Sequence, residues 1–218
     1  MNKKTLFIGA SIIIIVAFIA AVAIFQTDKA NQNKNSAVDN INIIERANAP
    51  TKGSEDARVT IVEFFDPACE TCEVFYPLVN DLIKRYPGKV KVMMRYAPFH
   101  EGSDQVVKLL AAANIQGQFW PALDILFTHQ QRWTRHHVAQ PHSARMLLKD
   151  LPMDNEQFIR DISSDKVIQS IIQDVKDGKT LKVRATPQFF VNGKPLINFG
   201  YTQLTELVEQ AIAEAYKS

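Results

Sequence analysis

Between residues 59 and 65 the chain reads Val-Thr-Ile-Val-Glu-Phe-Phe, a β-branched and aromatic run suited to a buried, pleated surface and closed by the turn-forming pair Asp66-Pro67. This pattern predicts a central strand. Beyond Cys72 the apolar period changes: Phe75, Leu78, Val79, Leu82, Ile83 and Tyr86 recur at three-four spacing, which places them on one face of a helix. Pro77 removes one N–H from that helix and is expected to kink it. Residues 89–96 partly alternate and predict a second strand, reached from the helix through Pro87-Gly88. The resulting β-α-β unit implies a parallel strand pair.

From residue 103 to about residue 179 the pattern turns helical. Val106, Val107, Leu109, Leu110 and Ala113 form one stripe, and Trp120, Leu123, Ile125, Leu126 and Phe127 belong to a second helix, with Pro121 tolerated in its first turn. Further helices are predicted over residues 146–151, 155–162 and 167–175, the last closed by Asp177-Gly178. This stretch reads as an all-helical insertion lying over the start of the first helix. The chain then returns to strands in Thr186-Pro187-Gln188-Phe189-Phe190-Val191-Asn192-Gly193-Lys194-Pro195-Leu196-Ile197, where Asn192-Gly193 signals a hairpin. Residues 202–216 close the chain as an amphipathic helix with Thr202 as N-cap. Residues 41–44 read as a short edge strand and residues 50–57 as a turn-rich lead-in.

The N-terminus has a different character. Lys3 and Lys4 precede an almost unbroken apolar run from Leu6 to Phe25. Its length suits a bilayer span of about 20 residues better than a cleaved signal core of roughly 7–15, although Ala21-Val22-Ala23 is a candidate cleavage site. Residues 1–25 are therefore expected to be a transmembrane anchor or signal segment. The lysines keep the N-terminus in the cytoplasm and put the remainder across the membrane. Residues 26–50 form a polar tether, and residues 51–218 form the folded domain. With 218 residues, 46% of them hydrophobic, the chain can bury one sizeable core. Its formal net charge of +2 comes entirely from Lys3 and Lys4, so the domain lacks the basic excess that nucleic-acid binding requires.

Only two cysteines occur, Cys69 and Cys72, spaced C-x-x-C where the first strand gives way to the first helix. Unpaired N–H groups and the helix dipole at that end favour negative charge, so Cys69 is expected to form the attacking thiolate. Cys72 can then attack a mixed disulfide on Cys69 and release the partner. A static bridge would close too small a loop to restrain much chain entropy. A zinc site would need ligands beyond this pair.

C-x-x-C after a buried strand, a helical insertion, then T-P-x-F-F-V-N-G and a last helix resemble the DsbA-like branch of the thioredoxin superfamily, from about residue 59 onward. The resemblance implies an α/β, thioredoxin-like fold, a central mixed sheet flanked by helices, with catalytic Cys69 and Cys72. It also implies a cis Thr186-Pro187 loop facing the pair, with Thr186 and Pro187 binding an extended client segment by strand addition and the Thr186 hydroxyl touching the Cys69 sulfur. The dipeptide Glu70-Thr71 departs from the Pro-His of the strongly oxidising members and the Gly-Pro of thioredoxin. A carboxylate beside the nucleophile disfavours the thiolate, so a couple less oxidising than the Pro-His type is expected, within a range of about 150 mV. Glu63 is the candidate to take a proton from Cys72, and His100 a candidate to tune Cys69.

The implied activity is that of a thiol-disulfide oxidoreductase on the extracytoplasmic or periplasmic face of the inner membrane, acting on exported cysteine-containing proteins. The two sulfurs carry both electrons, so no organic cofactor is called for. The implied redox partner is a DsbB-like membrane oxidase, or a membrane electron donor if the protein reduces. Alternatives are a disulfide isomerase, a dedicated reductase, and a copper(I)-binding dithiol chaperone. His129, His136, His137 and His142 cluster in the insertion, but His136 and His137 would point apart on a helix, so they are read as a polar segment and not as a metal site. Trp120 and Trp133 are read as core or groove lining.

Overall fold

The structure, a computed structural model, describes residues 41–217. The apolar run of residues 6–25 and the polar stretch up to residue 40 lie outside the described residues. Among the described residues no helix is long and apolar enough to cross a membrane.

From residue 51 onward the chain forms β1 (Thr51–Gly53), β2 (Val59–Phe65), α1 (Glu70–Arg85), β3 (Val90–Tyr96), α2 (Ser103–Ile115), α3 (Phe119–Thr128), β4 (Thr134–Arg135), β5 (Val138–Ala139), α4 (Pro141–Leu147), α5 (Asn155–Ile162), α6 (Asp165–Thr180), β6 (Gln188–Val191), β7 (Lys194–Pro195) and α7 (Tyr201–Ala215). The main sheet runs β1-β3-β2-β6-β7. The pair β2 and β3 is parallel, as the β-α-β pattern requires, and the other neighbours are antiparallel. This is the mixed, thioredoxin-like sheet flanked by helices.

All seven side chains of β2 are buried, so the strand is central and feeds two cores. Ile61, Phe65, Val92, Met94 and Phe189 pack with α1, α2 and α3 on one face; Val62, Phe64, Met93 and Phe190 pack on the other. The helix α1 buries Cys72, Phe75, Tyr76, Val79 and Leu82 and runs through Pro77. At the β6–β7 hairpin Asn192 (φ 46°) and Gly193 (φ 79°) both take left-handed backbone, the conformation that the Asn-Gly pair favours.

Several boundaries differ from the pattern reading. Residues 41–44 are helical, because Ile-Asn-Ile-Ile is too short to separate the two periods. The compact unit begins at Ile43, so residues 43–50, expected in the tether, belong to it. The lead-in contains β1, a strand that pairing with β3 creates. The insertion is not all-helical: the two-stranded hairpin β4–β5 interrupts it, with His136 and His137 at its tip. Helix α4 lies over residues 141–147, starting at Pro141, where 146–151 was expected. Helix α6 continues through Asp177 and Gly178 because Asp177 faces inward to an arginine. The last helix starts at Tyr201, with Gly200 and not Thr202 as its N-cap.

Candidate active site

The turn between β2 and α1 is organised by Asp66. Its carboxylate is fully buried and accepts from the N–H groups of Ala68 (2.8 Å), Phe99 (2.6 Å) and His100 (2.8 Å), from His100 Nδ1 (2.8 Å) and from the Ser103 hydroxyl. Five donors on one carboxylate tie the cysteine turn to the loop before α2. From the insertion, Gln130 donates its amide to the carbonyls of Pro67 (2.9 Å) and Cys69 (3.1 Å). Both sides of the cysteine turn are thus held by side chains distant in sequence.

Cys69 is the N-cap of α1, and the N–H of Glu73 donates to its carbonyl at 3.2 Å. Its thiol donates to the Thr186 carbonyl at 3.3 Å. The Thr186–Pro187 peptide is cis. The Cys69 thiol is lowered to about 5: the Cys72 thiol donates to its sulfur, and the Thr186 side chain and the N–H groups of Cys72 and Thr71 add to this, against the cost of burial. Cys69 is 6% exposed, more covered than an open helix tip, because the Thr186 loop lies across it.

Cys72 has no exposed surface, and burial pushes its thiol well above the ordinary value, with Cys69 and Glu63 adding to the shift. Both cysteines are free thiols. The pair is therefore asymmetric, one sulfur readily ionised and the other held protonated. Glu63, on the α1 side of β2, is wholly buried, and among the described residues neither carboxylate oxygen has a hydrogen-bond partner. Burial, then the charge of Cys69, raise it to about 8. It is a neutral acid at pH 7, within electrostatic reach of both sulfurs.

The remaining expected residues sit differently. Thr71 points to solvent, and so does Glu70. Its Oε1 lies 3.9 Å from His137 Nδ1. His100 is held by Asp66 and stacks on His137 with ring centres 5.8 Å apart. His129 and His142 line a separate cavity of about 650 Å³ between α3 and α4. Among the described residues no three His, Cys, Asp or Glu side chains are placed to hold one metal ion. Trp133 is buried, and Trp120 packs at the edge near β1. Gln130 and His137 were not expected at the site and no local pattern marks them, whereas Asp66 reads locally as half of the turn-forming pair with Pro67.

Residues 45–210 match the thioredoxin family. The chain belongs to that family. It is 28% identical over 169 residues to the "Probable disulfide bond formation protein D" of Bacillus anthracis, covering 73% of this chain and 76% of that protein. A solved thioredoxin-like oxidoreductase from Silicibacter pomeroyi DSS-3 superposes with a TM-score of 0.67 at 26% identity, covering 78% of this chain and 96% of that one. The thioredoxin-family chain is also 32% identical over 145 residues to the Na(+)/H(+) antiporter NhaA of Herminiimonas arsenicoxydans. That match takes in 66% of this chain but only 22% of the antiporter's length. The DsbA-like resemblance drawn from the two motifs agrees with the disulfide-forming relative and the oxidoreductase fold.

Proposed function

We propose that this domain is a thiol-disulfide oxidoreductase in which Cys69 exchanges disulfides with cysteine-containing exported proteins and Cys72 resolves the mixed disulfide. The carrying observation is the Cys69 thiol, lowered to about 5 and placed at 3.3 Å from the Thr186 carbonyl. At pH 7 it is largely thiolate, the nucleophilic form and also the better leaving group.

In the oxidising direction a client thiolate attacks the Cys69 sulfur of the Cys69–Cys72 disulfide, and Cys72 leaves. Neutral Glu63 supplies the proton that the buried Cys72 thiolate needs. A second client thiolate then attacks the client sulfur of the mixed disulfide, and Cys69 leaves as a stabilised thiolate. The client has lost two electrons and the protein has gained them. Run backwards, the same steps reduce a client, with Glu63 as the base for Cys72. The Thr186 carbonyl offers an extended client a backbone acceptor beside the sulfur.

A thiol near 5 falls between the roughly 7 of thioredoxin and the roughly 3.5 of DsbA, which fits a couple less oxidising than the Pro-His type. Regeneration calls for a membrane partner, a DsbB-like oxidase or an electron donor. The apolar run of residues 6–25 would carry the domain across the membrane, and as an uncleaved anchor would also hold it at the outer face.

Oxidative refolding of a reduced client tests the proposal. Cys69→Ser should return refolding to the background rate, and Cys72→Ser should accumulate a mixed disulfide between Cys69 and the client. Exchange that survives Cys69→Ser would sink it.

A further inference from the structure

The inserted hairpin β4–β5 touches the dithiol turn at a point that the exchange chemistry does not use. Its base is fixed: the Ala139 N–H donates to the Glu101 carbonyl at 2.8 Å, and a Cβ on Gly102 would meet the Ala139 carbonyl oxygen at 2.8 Å. Just before β4, Gln130 holds the carbonyls of Pro67 and Cys69. The hairpin tip carries His136 (φ 50°) and His137 (φ 64°), two non-glycine residues in left-handed backbone. Such residues occur uncommonly and persist where the surroundings fix them. His137 stacks on His100 at 5.8 Å, and His100 is pinned by the buried Asp66. The other contact of His137 is Glu70, at 3.9 Å.

Glu70 is the residue next to the nucleophile. An unrestrained carboxylate there would lie near the developing thiolate and oppose it. The groups facing His137 are Glu70 from α1 and His100 from the loop before α2, with Asp66 beneath His100. Each imidazole therefore has its own carboxylate, and Glu70 is the carboxylate assigned to His137.

We propose that His137 is a positioning residue for the dithiol, drawing the Glu70 carboxylate toward the hairpin tip so that its charge does not oppose the Cys69 thiolate. This rests on the exchange role proposed for Cys69. Both side chains are mostly exposed, so water weakens the coupling and its effect is modest.

The test is a double-mutant cycle of His137→Asn and Glu70→Gln on the full chain. It reads the redox equilibrium constant against glutathione and the thiolate titration of Cys69 by ultraviolet absorbance. Asparagine tolerates left-handed backbone and His137 is exposed, so the hairpin keeps its shape. H137N should move the equilibrium about two- to fivefold toward the disulfide and raise the Cys69 titration midpoint. In the E70Q background H137N should change neither. An equal shift in both backgrounds, or none in either, would overturn the role of His137 while leaving the exchange proposal intact. A wild-type chain that exchanges no disulfides would overturn the exchange proposal itself.

Discussion

Two ionisable groups are fully buried on adjacent strands of the same sheet, and they are treated in opposite ways. Arg95 of β3 lies on one face, over the ring of Phe64, and each of its three guanidinium nitrogens has a partner. It donates to Asp174 (2.8 Å), to Asp177 (2.6 Å) and to the carbonyls of Ile43 (2.8 Å) and Ile44 (2.6 Å). Glu63 of β2 lies on the other face beneath α1, and nothing among the described residues donates to it. The difference is one of satisfaction. A partnered charge holds neighbouring segments together, whereas an unpartnered carboxyl stays neutral and keeps a proton available beside the dithiol. Removing each group should therefore change stability with opposite signs.

Glu63→Gln is the larger test. Glu63 is raised from an ordinary value near 4.5 to about 8. Below pH 4.5 it is protonated in both folded and unfolded chains and costs nothing extra. Between roughly 4.5 and 8 the unfolded chain releases the proton and the folded chain keeps it, so stability falls by about 1.4 kcal/mol per pH unit. The accumulated loss by pH 8 is roughly 3–6 kcal/mol. Glu63→Gln should remove it, giving higher urea midpoints at pH 8 than the parent chain and equal ones at pH 4.5. Because glutamine can neither take up nor return the Cys72 proton, attack of Cys72 on a mixed disulfide at Cys69 should slow by about 10²-fold. A Glu63→Gln variant less stable at pH 8, or resolving at the parental rate, would break the contrast.

Arg95→Met comes next, with the opposite sign. It strands Asp174, which burial already pushes up against the pull of Arg95, and leaves Asp177 with Arg46 and Gln173. Breaking a buried ion pair from one side costs about 3–5 kcal/mol, so the urea midpoint should fall at neutral pH. The Cys69 thiolate titration should stay where it was, since Arg95 acts on the other face. A shifted midpoint of Cys69 would show that the two faces are coupled.

The same contrast explains what the sequence discloses. The strand β2, the helix behind Cys72, the Asn192-Gly193 hairpin and α5 follow from local periodicity and turn chemistry, and they appear with the expected residues. The cysteine pair and the Thr186-Pro187 loop were legible because motifs are local. Arg95 reads as one polar position in a partly alternating strand, and only the return of α6 with Asp174 and Asp177 makes it interior. Asp66 reads as half of a turn pair, whereas its five donors come mostly from residues 99–103. The hairpin β4–β5 has two residues per strand and a His-His turn in place of Asn-Gly, so no rule for hairpins selects it. Long-range satisfaction of polar groups, more than burial of apolar ones, is what a single sequence conceals.

Gly178→Ala is the smallest and most selective probe of the Arg95 face. Gly178 lies inside α6, where glycine costs a helix about 1 kcal/mol relative to alanine. A Cβ there would sit 3.6 Å from two ring carbons of Phe64 and 3.8 Å from Val183 Cβ, ordinary contact distances. The added methyl therefore reduces the backbone entropy lost on folding and gains van der Waals contact without displacing a neighbour. We expect a gain of about 0.5–1 kcal/mol, read as a rise of roughly 1–4 °C in Tm. Because Phe64 and Glu63 project from opposite faces of β2, the gain should leave the pH dependence from Glu63 and the redox equilibrium of the dithiol unchanged. A stabilised Gly178→Ala chain with an altered equilibrium would mean that packing under Phe64 reaches the sulfurs through the strand. The division of labour between the two faces would then be false.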